Sequence, residues 1–205
     1  EFLDLAVCAI FIHERKFAGQ VSECFSELLD KLNADIAAAP GIALLLKRGQ
    51  VAAAPRDKLI LIGMEGAAPL GAQSALLDDF FARGLRLIGL TWNFANRYGG
   101  PGLLGGGLTR EGRDLIRRCN QLGIVLDAAH SSSATFAGML KWSADPVIDS
   151  HTVCGGVCAR WPRAISDDQL RQLAAKGGVA GVTLVPDFLG GGSIDDVCRH
   201  IEHAV

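Results

Sequence analysis

The chain has 205 residues, of which 49% are hydrophobic and only 20% are charged, and its formal net charge is −2. This length fits one domain with a sizeable core. The nearly neutral charge, without blocks of like charge, argues against nucleic acid and against an anionic membrane surface as partners. No apolar stretch reaches the ~20 residues of a membrane span.

Short apolar runs alternate with amphipathic stretches along the chain. Serine and threonine residues stand at the expected starts of several helices, and Ser74, Thr109, Ser166 and Ser193 are predicted caps. In chain order we predict a strand at 5–12, a helix at 21–39, an apolar segment at 42–46, a helical turn at 50–54, a strand at 59–64, a helix at 74–83, a strand at 85–91, a glycine-rich loop at 96–107, a helix at 109–122, a strand at 124–127, a helix at 133–142, a strand at 146–150, a helix at 167–176, a strand at 179–184 and a last helix after 193.

Six main strands that alternate with helices predict an α/β fold with a parallel sheet and right-handed crossovers. No domain boundary stands out, so we predict one domain over residues 1–205. The glycine-rich loop matches neither a Walker A motif nor a dinucleotide-binding motif. We interpret it as a mobile loop over the rim of the sheet.

Three side chains that often bind metals follow predicted strands, namely Glu65, His130 and His151. In a parallel α/β barrel, the C-terminal ends of all strands meet on one rim. One carboxylate and two imidazoles form an oxygen and nitrogen ligand set that suits Zn²⁺. The pattern therefore predicts a metal site on that rim.

These residues also have purely structural interpretations. Glu65 is either a buried carboxylate that needs a cation or hydrogen bonds, or an exposed loop residue. Taken singly, His130 and His151 are also typical of histidines that bond to a neighbour near a helix start. Asp127 and Asp149, on the same strands as the histidines, either orient the metal ligands or form salt bridges inside the barrel.

The remaining histidines and the six cysteines give weaker signals. His200 and His203 lie three apart on a predicted helix, and we expect a solvated surface there. His13 is expected in an exposed loop. Cys154 and Cys158 form a weak metal or disulfide candidate, but the scattered cysteines favour free thiols in a reducing compartment.

Several short motifs, in this order, resemble the membrane dipeptidase (renal dipeptidase) family of zinc metallopeptidases. Residues 64–66 (Met-Glu-Gly) are similar to the family's Glu-Gly motif. Residues 126–130 (Leu-Asp-Ala-Ala-His) and 148–151 (Ile-Asp-Ser-His) are similar to its two histidine-bearing strand ends. Further segments agree with the family in the same order, at 107–112, 120–123, 163–168 and 185–189.

The resemblance implies a (β/α)8 barrel of TIM type, of the metal-dependent hydrolase kind. It also implies hydrolysis of dipeptides by zinc-activated water. In the family pattern Glu65 would bridge two zinc ions and serve catalysis, and His130 and His151 would complete one of the two sites. Arg163, with Arg160 as the alternative, would bind the substrate carboxylate.

The chain also departs from the family pattern. Trp92 stands where the family has a histidine near the substrate, so we expect Trp92 to contact the substrate.

No counterpart is present for the His-x-Asp strand of the second zinc site or for the last strand with the acid/base aspartate. A full barrel has ~250 residues. We therefore expect truncation at both ends, about six of eight strands and ligands for about one zinc ion. Two open strand edges would then favour a homo-oligomer, most simply a dimer.

The sequence thus predicts a metallo-dipeptidase that binds zinc and a dipeptide substrate, although activity of so short a chain is a separate question. The alternatives are an inactive scaffold or fragment of this fold, another amidohydrolase-type barrel hydrolase acting on a cyclic amide or ester, and a plain α/β domain. No signal peptide is visible, which favours a cytoplasmic location. An exported or membrane-anchored protein stays open if a signal was removed.

Overall fold

The computed structural model describes residues 3–53, 57–73 and 75–205, and the statements below refer to these residues. The elements are β1 (Leu5–Phe11), α1 (Val21–Ala38), β2 (Ile42–Leu44), α2 (Gly49–Ala52), β3 (Lys58–Glu65), a 3-10 turn (Ala68–Leu70), α3 (Ala75–Ala82), β4 (Leu85–Gly89), α4 (Arg110–Leu122), β5 (Val125–Asp127), α5 (Ser133–Trp142), β6 (Val147–Thr152), α6 (Asp167–Ala175), β7 (Val179–Val182), α7 (Pro186–Leu189) and α8 (Ile194–Ala204).

The predicted order of strands and helices is confirmed. All six predicted strands are present, and the apolar segment at 42–46 contains the short additional strand β2. The short helix α7 was not predicted. The predicted cap Ser74 lies outside the described residues, as does the last residue of the helical turn predicted at 50–54, which α2 otherwise matches.

The strands belong to one sheet with the order β1-β3-β4-β5-β6-β7, and β2 pairs with β3 outside this path. The pairings of β1, β2 and β4 with β3 are parallel, as are those of β6 with β5 and β7. Parallel neighbours need crossover connections, which the intervening helices supply. This arrangement confirms the predicted α/β class.

The chain divides into two compact units, of which the first comprises the residues up to Gly89 and Gln121–Ile124. Its core is apolar and includes Phe25 and Phe80, whose ring centroids are 4.8 Å apart. Beside these rings, the Arg83 guanidinium bonds Ser26 and Asp79. Burial of the two rings holds α1 and α3 onto the strands of this unit.

The second unit comprises Leu90–Asn120 and Val125–Val205. Ser166 and Ser193 begin α6 and α8, and both form complete capping boxes with the residue three positions later. Thr109 accepts a hydrogen bond from the Gly112 amide at the start of α4. These three predicted caps are therefore confirmed, and each satisfies amide groups that a helix start would leave without partners.

Candidate metal centre

His151 is the penultimate residue of β6, and its imidazole orientation is set by the residue before it. The Ser150 hydroxyl donates to Oδ2 of Asp127 at 2.5 Å and lies 2.8 Å from Nδ1 of His151. A serine hydroxyl has one proton, and this proton is used on the carboxylate. Nδ1 of His151 must therefore carry the proton and donate to Ser150, so that Nε2 of His151 keeps its lone pair.

His130 follows β5 and has a backbone φ of +64°, alone among the non-glycine residues that the structure describes. Few residues other than glycine adopt this left-handed conformation, because the Cβ atom crowds the backbone. Nδ1 of His130 lies 2.9 Å from the amide oxygen of Asn93. Donation from Nδ1 to this oxygen leaves the lone pair of His130 on Nε2.

The two histidines face each other through these nitrogen atoms. Nε2 of His130 and Nε2 of His151 are 2.9 Å apart. Two lone pairs at this distance repel unless they share a proton or a cation. Glu65 is the last residue of β3, in the first unit, and its role as a third ligand stays a prediction. One carboxylate and two imidazoles suit a divalent cation such as zinc.

Asp127 supports this arrangement by accepting three hydrogen bonds. Besides the Ser150 hydroxyl, it accepts the backbone amides of Ala129 and Ser150, both at 3.0 Å. It thereby ties the end of β5 to β6. Of the two roles that the sequence left open for Asp127, the geometry favours ligand orientation.

Asp149 lies on β6, two residues before His151, and is 5% exposed. Burial and the neighbouring Asp127 carboxylate raise the pKa of Asp149 to about 7, although Arg163 and His151 act in the opposite direction. Its Oδ1 atom has no hydrogen-bond partner among the described residues. A cavity of about 10 Å³, lined in part by Asp149, His130 and Arg163, has room for at most one water molecule there.

Arg163 and Trp92 both lie close to the histidines. A guanidinium nitrogen of Arg163 donates to the His151 carbonyl oxygen at 2.7 Å. The ring centroid of Trp92 lies 6.1 Å from that of His130. Arg160 is exposed and lines a different groove, so Arg163 is the better placed of the two candidate arginines.

The expectation that His200 lies on a solvated surface is wrong. His200 is fully buried, and its ring bonds the amide of Cys154 and the carbonyl oxygen of Leu189. His203 does lie near the surface, where it bonds Asp167. The many polar residues of α8 concealed the burial of His200, because a histidine with two backbone partners can take a core position that sequence would give to an apolar residue.

All six cysteines are free thiols in this structure, so a disulfide between Cys154 and Cys158 is not formed. Cys154 instead donates its thiol hydrogen to the carbonyl oxygen of His200.

Sequence reasoning also missed Ser150 and Asn93 as hydrogen-bond partners of His151 and His130. The signal that could have revealed them is that Ser150 directly precedes His151 and Asn93 directly follows Trp92, both near the ends of predicted strands.

Comparison with known proteins gives a consistent result. A family model described as membrane dipeptidase (peptidase family M19) matches residues 1–205. The chain is 30% identical over 181 residues to a Klebsiella pneumoniae protein encoded in the pqqA 5′ region. This alignment covers 80% of this chain and 66% of that protein. It is 33% identical over 149 residues to dipeptidase verJ of Clonostachys rogersoniana, which covers 70% of this chain and 38% of that dipeptidase.

A solved structure of a dipeptidase of family M19, dipeptidase AC, superposes with a TM-score of 0.90 and 24% identity. The superposition covers 98% of this chain and 67% of that one. The likeness shows the fold, an incomplete (β/α)8 barrel of TIM type, as the sequence predicted. The chain thus spans about two fifths to two thirds of the length of these relatives. Among the described residues, no helix is long and apolar enough to cross a membrane.

Proposed function

The chain belongs to the membrane dipeptidase family, peptidase family M19, and from this premise we propose that it is a zinc-dependent dipeptidase that hydrolyses the peptide bond of dipeptides. The observation that carries the proposal is the pair of imidazoles with facing Nε2 atoms 2.9 Å apart. Ser150 and Asn93 engage both Nδ1 atoms. This leaves two lone pairs for one cation, and Glu65, whose carboxylate the sequence predicts as a ligand, would be the third.

Glu65, His130 and His151 would hold the metal ion. Zinc, when bound, lowers the pKa of water towards ~7 and polarises the carbonyl group to be cleaved. In the family pattern Glu65 would also serve a second zinc ion, and the residues named here would be ligands for about one ion. The Ser150 and Asp127 hydrogen bonds keep the His151 ring in the tautomer that a metal requires.

Arg163 and Trp92 would bind the substrate. A guanidinium offers two parallel donors, and it therefore suits the terminal carboxylate of a dipeptide. The hydrogen bond from Arg163 to the His151 carbonyl fixes the guanidinium beside the metal ligands. Trp92 contacts the His130 side of the site, where its ring would form an apolar wall for the dipeptide side chain.

The first test is bound metal, measured by elemental analysis on protein purified without added zinc or chelator. We expect about one zinc ion per chain, lost in His151→Ala. His203→Ala is the matched control, because His203 bonds Asp167 outside this site and should leave the zinc content unchanged. Protein that takes up no zinc, even when zinc is offered to the folded chain, would contradict the proposal.

The second test is hydrolysis of a panel of dipeptides beside cyclic amides and esters, with zinc-loaded protein. We expect activity on dipeptides, lost in Glu65→Gln and lowered in Arg163→Ala through a higher KM. Cleavage of the cyclic amides or esters alone would favour an amidohydrolase of another kind. Zinc binding without hydrolysis of either class would indicate an inactive scaffold.

A further inference from the structure

The glycine-rich segment 99–107, called the glycine loop below, is hydrogen-bonded to the residues that follow β5. The Gly102 amide donates to the carbonyl oxygen of His130 at 2.7 Å, and the Ser132 amide donates to the carbonyl oxygen of Gly100 at 3.0 Å. The two bonds form a short antiparallel bridge around Ser131. The glycine loop therefore contacts the backbone of His130 directly.

Thr135 anchors the other side of the glycine loop. It is fully buried in α5, and its hydroxyl donates to the Gly100 carbonyl oxygen at 2.8 Å and accepts from the Gly100 amide at 3.1 Å. The Ser132 hydroxyl adds a hydrogen bond to the carbonyl oxygen of Gly106. A single buried side chain thus satisfies both backbone groups of Gly100, which would be costly to bury without partners.

The glycines let the loop approach this closely. A Cβ atom on Gly102 would lie 2.9 Å from Cβ of Arg163, and within the loop a Cβ atom on Gly100 would lie 2.1 Å from the Gly105 carbonyl oxygen. Both contacts are shorter than packed atoms allow. These anchors and contacts favour a fixed element over the mobile loop that the sequence suggested.

The fixed loop matters because His130 is held in a left-handed conformation. Such a conformation costs free energy and persists only where the surroundings impose it. The carbonyl oxygen of His130 accepts from Gly102 and, at 3.4 Å, from the Thr91 hydroxyl. We propose that the glycine loop, anchored by Thr135, is a positioning element that holds the His130 backbone so that Nε2 of His130 faces Nε2 of His151. This inference rests on the proposed zinc site.

The test compares Thr135→Val, which keeps the shape but removes the hydroxyl, with Thr135→Ser, which keeps the hydroxyl. Zinc affinity is measured by competition with a coloured chelator, and hydrogen exchange of the Gly102 amide is measured on metal-free protein. We expect Thr135→Val to weaken zinc binding about 10- to 100-fold and to speed exchange at Gly102. Thr135→Ser should restore both. Ser143→Ala, which removes another buried hydroxyl, bonded to Asp145, should change neither.

The inference is overturned if folded Thr135→Val binds zinc as tightly as the parent chain, and the zinc site itself would then still stand. If the parent chain binds no zinc, the proposed function and this inference both fall. Should Thr135→Val not fold, Gly100→Ala distorts the loop from within, because a Cβ atom there would clash with the Gly105 carbonyl oxygen, and the same loss of zinc affinity is expected. Zinc affinity unchanged in folded Gly100→Ala would equally overturn the inference.

Discussion

At the level of single residues, the left-handed backbone of His130 indicates that this strained conformation serves a function. A residue with φ of +64° is less stable there than glycine would be, and the cost is about 1 kcal/mol. Since glycine would avoid this cost, the presence of a side chain here indicates that the imidazole is needed. Its hydrogen bond to Asn93 and its approach to His151 are what the strained backbone provides.

This strain predicts an unusual order of stability. In metal-free protein we expect His130→Gly to be more stable than His130→Ala by about 1 kcal/mol, because only glycine relieves the left-handed strain. Both variants lose the same imidazole bonds, so their difference isolates the backbone. Urea unfolding monitored by circular dichroism measures it.

His151 provides the matched control for this comparison, because it lies within a β-strand with ordinary backbone angles. There the usual order should hold, with His151→Gly less stable than His151→Ala, since glycine loses more conformational entropy on folding. The same order at both positions would contradict the assignment of strain to His130.

Asp149 predicts how the stability of metal-free protein depends on pH. Its pKa is raised to about 7 in the folded state by burial and by Asp127, against an ordinary value of 3.8. The folded chain therefore holds a proton that the unfolded chain has released, so stability should fall as pH rises from about 4 to about 7. The slope is at most about 1.4 kcal/mol per pH unit.

Asp149→Asn removes this ionisation. We expect the variant to resemble the parent chain at pH 5 and to be more stable than the parent at pH 8, measured by urea unfolding in the presence of a chelator. An equal difference between the two proteins at both pH values would show that Asp149 does not titrate in this range.

Among the elements, strands and helix caps followed from local sequence, whereas contacts between distant segments did not. The apolar runs that became β3 and β6 predicted both strands and placed Glu65 and His151 at their ends. Ser166 and Ser193 predicted helix starts because a capping side chain bonds within its own turn. The burial of His200 depends on Cys154, 46 residues earlier, and no local pattern reveals such a contact.

The start of α4 gives a prediction at the same level. A Cβ atom on Gly112 would lie 2.1 Å from the carbonyl oxygen of Tyr98. Gly112→Ala should therefore destabilise the chain by about 1–3 kcal/mol through this clash. Alanine in place of glycine inside a helix would otherwise be favourable by about 1 kcal/mol. Thermal unfolding measures the change.

Gly49, the first residue of α2, is the control for Gly112. It is exposed, and a Cβ atom there would meet nothing within 4 Å. Gly49→Ala should leave stability unchanged or raise it by up to about 1 kcal/mol. If Gly112→Ala were equally harmless, this result would contradict the close packing of Gly112 against the Tyr98 carbonyl oxygen.

For the whole molecule, the sequence predicted the fold class and the three candidate ligands, but it did not predict the residues that hold these ligands in place. Glu65, His130 and His151 follow from strand ends, since parallel strands present their C-terminal ends at the same edge. The glycine loop, Thr135 and the left-handed backbone of His130 could not be predicted, because they depend on hydrogen bonds between segments some 30 residues apart. The single domain predicted over residues 1–205 stays a prediction.

The last prediction concerns association of the chain with a second copy. β1 stands at one end of the strand order, and among the described residues its strand partner is β3 alone. Two of its apolar side chains, Leu5 and Val7, are 41% and 48% exposed. A parallel edge strand with exposed apolar side chains favours pairing with another chain.

We therefore expect light scattering on the purified 205-residue chain to give a mass of twice the 21.6 kDa of one chain. Val7→Lys should shift the chain to a monomer, because a charged side chain at an edge strand opposes pairing. Val51→Lys is the control, since Val51 is similarly exposed at 52% but lies on α2 rather than on an edge strand. A monomeric parent chain, or an equal effect of both lysines, would contradict pairing through β1.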